Sequence, residues 1–108
     1  MILKRDFNYP AKNANRPLHI WLPDDYYDCF DFYPVMYFFD GHNLFLDEDA
    51  TYGKSWGMKN FMDKSKTQMI IVAVECNHNS EPDNSRLSEY SPFSFADSHF
   101  GPIIGRGV

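Results

Sequence analysis

Pro34-Val35-Met36-Tyr37-Phe38-Phe39 is an unbroken apolar run that stops at Asp40-Gly41. A run without polar alternation predicts a strand buried on both faces, the central strand of an α/β sheet. A second such run, Met69-Ile70-Ile71-Val72-Ala73-Val74, follows after a helical pattern. That helix is expected to start near Ser55, a good N-cap residue. Met58, Phe61 and Met62 fall on one apolar face, and Lys59, Asp63 and Lys64 point away from it. Strand, helix and strand in this order predict a parallel pair joined by a right-handed crossover. Two parallel strands need helices above and below, and this chain offers one, so more polypeptide is expected to pack here, as a continuation or as another chain. The ending Ile103 to Val108, with neither polar tail nor helix cap, fits a missing continuation.

Earlier in the chain, Ile2 to Phe7 reads as a first strand and Tyr9 to Asn15 as a turn. Pro17 to Pro23 alternates as a second strand with Leu18, Ile20 and Leu22 on one face. Tyr26 to Tyr33 reads as an aromatic, acidic loop and Leu46 to Asp49 as a solvated acidic one. From Asn77 to Gly101 the chain is polar and rich in Ser, Pro and Asn, and it reads as one long loop.

The 108 residues allow one domain, and the net charge of −5 argues against a nucleic-acid partner. No apolar segment is long enough to span a membrane. The N-terminus lacks an apolar core with a cleavage site, so it does not read as a signal peptide. Cys29 and Cys76 are therefore expected as thiols in a cytoplasmic protein.

Several motifs carry little chemistry. Gly53-Lys54-Ser55-Trp56-Gly57 matches G-x-S-x-G, but a nucleophile elbow needs a buried strand directly before it. Leu46-Asp47-Glu48-Asp49-Ala50-Thr51-Tyr52 is too acidic for that strand, so Ser55 reads as a helix cap. A P-loop would need glycine where Glu48 stands. His19, His42, His78 and His99 show no metal-ligand spacing, and His78 with Cys76 is a weak pair, so no metal and no cofactor is expected. His19 reads as structural. Asp24, Asp25, Asp28, Asp31, Asp47, Glu48 and Asp49 read as a solvated surface. Glu75, at a strand end, and Glu89 are better placed to approach a site. Arg86-Leu87-Ser88-Glu89-Tyr90-Ser91-Pro92 reads as a locally ion-paired loop segment or as a pocket wall. Ligands bind beyond the carboxyl ends of strands in open α/β sheets, which draws attention to Asp40, Gly41 and His42.

Leu18-His19-Ile20-Trp21-Leu22-Pro23, Pro34 to Phe45 with its Asp40-Gly41-His42-Asn43-Leu44-Phe45 end, Tyr52-Gly53-Lys54-Ser55-Trp56-Gly57, Ile70 to Val74 and Arg86 to Pro92 occur in that order. The series resembles the N-terminal part of an esterase family of α/β-hydrolases, related to feruloyl esterases, S-formylglutathione hydrolase and enterobactin-type esterases. Family members usually carry His and Gln where this chain has Phe39 and His42. The resemblance implies the first half of an α/β-hydrolase sheet: antiparallel leading strands, then parallel strands with a crossover helix, incomplete as a stand-alone domain. It implies a serine hydrolase acting on small ester or thioester substrates. The backbone N–H of His42 would donate to the oxyanion, and Asp40, Gly41, Asn43, Leu44, Arg86, Glu89 and Tyr90 would contact substrate. Serine, acid and histidine would lie beyond Val108, so this chain alone is expected to be inactive. The alternative is a non-catalytic fragment that binds a partner or its own copies.

Overall fold

The computed structural model describes residues 1–9, 14–28, 32–76, 85–90, 93–97, 101–103 and 105. Cys29, Asp31, His78, Ser91, Pro92 and His99 lie outside these residues. The chain forms two compact units, Met1–Glu75 and Cys76–Val108.

The first unit is built on four strands: β1 (Ile2–Tyr9), β2 (Ala14–Trp21), β3 (Val35–Phe38) and β4 (Ile70–Val74), in the order β1-β2-β4-β3. β1 and β2 are antiparallel over their full length, from Ile2 opposite Trp21 to Tyr9 opposite Ala14. Both strands run further than their apolar residues alone predict, because pairing continues through polar positions; Asn8 Nδ2 donates to Asn15 Oδ1 at 3.2 Å. β4 pairs antiparallel with β2 and parallel with β3. The parallel pair on either side of a helix is the arrangement that the two apolar runs predict.

Among the described residues β3 is not a central strand. It is the edge of this sheet, and its Val35, Met36 and Tyr37 side chains are exposed. β4 takes the interior place, with Ile71 and Ala73 buried. The apolar run correctly marks a strand, but burial depends on what lies alongside it, and among the described residues only β4 pairs with β3.

Partners in register share a face of the sheet. Trp21 with Ile71 and His19 with Ala73 form one face, and this face carries the core. Leu44, Phe45 and Met62 close over it, with Ile2, Phe38, Leu46, Met58 and Met69 packed around them. The Trp21 and Phe45 rings stack at 6.1 Å. Of Leu18, Ile20 and Leu22, read as one face of their strand, Leu18 and Ile20 are half-buried and Leu22, just past the strand end, is buried. Within β2 the better-buried positions are His19 and Trp21, because the helix and turns cover that side.

The helix α1 spans Met58–Ser65. Gly57, at φ 80°, is its N-cap rather than Ser55. A left-handed residue lets the chain turn sharply into the helix, which favours glycine. Ser55 sits two residues upstream and its Oγ accepts the Gly57 N–H at 3.2 Å. Met62 is buried and Met58 half-buried, but Phe61, expected on the same face, is exposed. On the outer surface the Lys59 ammonium donates to Asp63 Oδ2 at 2.9 Å and holds that carboxyl below its ordinary value of 3.8. The stability linked to this shift is present above the unfolded value and is lost as pH falls through the lowered folded one. For an exposed pair the gain is small. In Lys59→Gln, carbon-13 NMR titration should show the Asp63 midpoint move up toward 3.8, with the neutral-pH melting temperature nearly unchanged.

The second unit holds a helix, α2 (Ser85–Tyr90), and an antiparallel pair of strands, β5 (Phe95–Asp97) and β6 (Gly101–Ile103). The polar stretch from Asn77 to Gly101 is thus not one loop. Polar composition hid a short helix whose Arg86 guanidinium lies 5.2 Å over the Tyr90 ring, one turn on. Among the described residues no helix is long and apolar enough to cross a membrane.

Candidate functional site

The chain leaves β3 through Phe39 and bends at Asp40, a buried residue at φ 54°, ψ 46°. Asp tolerates this left-handed conformation better than most residues. A single 3-10 turn follows over Gly41–Asn43, closed by Asn43 N–H to Asp40 O at 2.9 Å and Leu44 N–H to Gly41 O at 3.2 Å. The amides of Gly41 and His42 precede the first of these bonds.

Gly41 is required by close approach. A Cβ placed there would stand 2.4 Å from the Ala73 carbonyl oxygen and 2.9 Å from the Ala73 Cβ. The turn therefore lies directly on the interior strand, at the carboxyl end of its parallel partner.

Two side chains lock the turn from the other side. His42 is buried, and its Nε2 is hydrogen-bonded to Thr51 Oγ1 at 3.0 Å. Asn43 Oδ1 accepts the Thr51 N–H at 3.0 Å, and Asn43 O accepts the Trp56 N–H at 2.7 Å. Leu44, the next residue, has 0% exposure and belongs to the core. Its carbonyl accepts the Met58 N–H at 3.1 Å, which ties the turn to the start of α1.

The acidic segment after the turn is not simply solvated. Asp47–Asp49 is a second 3-10 turn. Asp47 Oδ1 accepts the Ser55 N–H at 2.8 Å, and Asp49 Oδ1 takes the Lys4 ammonium at 2.7 Å. No strand runs into Ser55, so the G-x-S-x-G match lacks the strand-to-helix turn of an elbow. Behind the turn, His19 Nε2 is bonded to Glu75 Oε2 at 2.6 Å.

Asp40, Gly41, His42, Asn43 and Leu44 are thus brought into one hydrogen-bonded turn, with Leu44 turned to the core. Arg86, Glu89 and Tyr90 share one short helix in the second unit, where Glu89 is buried. Sequence reading missed Thr51 and Asp49, because their partners are 8 and 45 residues away and no local pattern announces them. Among the described residues no group of three His, Cys, Asp or Glu could hold a metal ion.

No family model and no curated protein matches the sequence. Solved structures do match in fold. An IroE-like serine hydrolase from Shewanella oneidensis aligns with a TM-score of 0.60 at 20% identity, over 90% of this chain and 28% of its own. A ferulic acid esterase aligns with a TM-score of 0.58 at 21% identity, over 94% of this chain and 38% of its own. The fold is that of part of an α/β-hydrolase sheet, as the motif series implies, and the chain spans well under half the length of either structure.

Proposed function

We propose that this chain is the N-terminal part of a cytoplasmic serine esterase and supplies one side of its oxyanion site. The observation that carries the reading is the Asp40–Asn43 turn, pressed onto β4 through Gly41 at the carboxyl end of β3, in a chain with this fold. In the whole enzyme a serine hydroxyl attacks the carbonyl of a small ester or thioester, and negative charge builds on the carbonyl oxygen. The backbone N–H of His42 donates to that oxygen, and a second N–H follows the nucleophile. Using a backbone donor makes the change of side chain at position 42 tolerable. The buried His42 ring, hydrogen-bonded to Thr51, then fixes the direction of its own amide. The nucleophile, acid and histidine are contributed by sequence after Val108.

The whole protein carrying this chain should react with a fluorophosphonate probe and hydrolyse a short-chain nitrophenyl ester. Ser55→Ala should leave both intact, and the 108-residue chain alone should do neither. A whole protein that neither labels nor turns over, or activity that Ser55→Ala removes, would overturn the reading.

A further inference from the structure

We propose that His19 is a positioning residue for the Asp40–Asn43 turn, acting through Asp49 and Thr51 without touching substrate. The inference takes its functional meaning from the esterase reading, but its test does not depend on that reading.

His19 sits mid-strand on β2 with 3% exposure, opposite Ala73. An imidazole buried at such a position is costly unless its nitrogens are satisfied. Nε2 meets Glu75 Oε2 at 2.6 Å, and Glu75 is itself fixed to β2 by its N–H to Pro17 O at 3.1 Å. The other ring nitrogen, Nδ1, faces Asp49 Oδ2 at 4.0 Å. That oxygen is buried and makes no hydrogen bond among the described residues, so the ring is its electrostatic neighbour. The other Asp49 oxygen takes Lys4. Lys4, His19 and Glu75 belong to the sheet and its strand ends; Asp49 alone belongs to the loop that leaves the turn. The row therefore ties one point of that loop to β1 through the Lys4 bond and to β2 through the His19 ring, an ion contact when the imidazole carries both protons.

That point controls the turn. Two residues after Asp49, Thr51 holds both the His42 ring and the Asn43 side chain. At the other end Gly41 rests on Ala73, the register partner of His19. The turn is held between a backbone contact and a strap, and the strap is fastened to the sheet at Asp49. A histidine that only filled the core would support β2 and β4 as much as the turn.

Amide hydrogen exchange by NMR on the full chain separates the two roles. In His19→Gln, which can still donate to Glu75 but presents nothing to Asp49, the Asn43 and Thr51 amides should exchange about tenfold faster or more, with Val72 and Ala73 unchanged. Asp49→Asn, at a partly exposed side chain that keeps an acceptor for Lys4, should loosen the same two amides and carries the test if His19→Gln does not fold. Equal acceleration in β4, or no change at Asn43 and Thr51, would overturn the proposal. In the whole protein, Asp49→Asn should lower kcat with little change in KM. A loosened turn beside an unchanged kcat would sink the placement of the oxyanion donor in this turn and leave the strap in place, whereas a whole protein without any turnover would sink the esterase reading alone.

Discussion

Gly41→Ala is expected to lower turnover of the whole protein by about 10²–10³-fold, the effect of losing one oxyanion donor, although it removes no hydrogen-bonding group. Two effects oppose each other. Alanine narrows the unfolded ensemble and would add about 0.4–1 kcal/mol of stability where the native backbone accepts it. Here the new methyl would lie 2.4 Å from a backbone oxygen of Ala73. A strand carbonyl held in the β4 ladder cannot give way as a flexible side chain would, so the turn must move instead. Overpacking of this kind typically costs about 1–3 kcal/mol, which outweighs the gain. The measurement is kcat and KM together with a urea midpoint. A variant of unaltered turnover would mean that the placement of the His42 amide is immaterial to the reaction.

Leu44→Ala is expected to give the largest loss of stability, about 2–5 kcal/mol, from lost transfer energy and the cavity left behind. Against a typical total of about 5–15 kcal/mol that is a large share. Leu44 has no exposed surface; its amide closes the turn on Gly41 O, and its carbonyl accepts the Met58 N–H at the start of α1. Urea unfolding followed by the fluorescence of Trp21, which stacks on Phe45 in the same cluster, reads the effect directly. The experiment also decides what Leu44 does. As a wall of the substrate pocket its truncation would raise KM and leave the urea midpoint in place; as a core residue it moves the midpoint.

The crossover and the turn were legible because each depends on nearby residues. Apolar runs mark β3 and β4 whatever their neighbours, and Asp40-Gly41 marks the break between strand and turn. Features that depend on distant partners were not legible. Val35, Met36 and Tyr37 are exposed because β3 lies at an edge, which no property of those residues announces. Ser55 and Gly57 are both acceptable ways to open a helix, and the left-handed backbone decided for glycine. Asp49 resembles its acidic neighbours in sequence, and only the return of β1 and β2 to the same face brings Lys4 and His19 beside it. Arg86 and Tyr90 have helical spacing, but the polar residues around them masked a helix of six residues.

The bare flank of β3 has a practical consequence for handling this polypeptide. Val35 to Phe38 is four consecutive uncharged residues on the end strand of the sheet among the described residues, and Tyr37 is 77% exposed. Such a strand is a template for indiscriminate strand addition, and proteins usually blunt it with lysine or proline. Preparations of the isolated segment should therefore precipitate as concentration rises, and a lysine at position 37, on the face away from the core, is the substitution of choice for keeping it in solution.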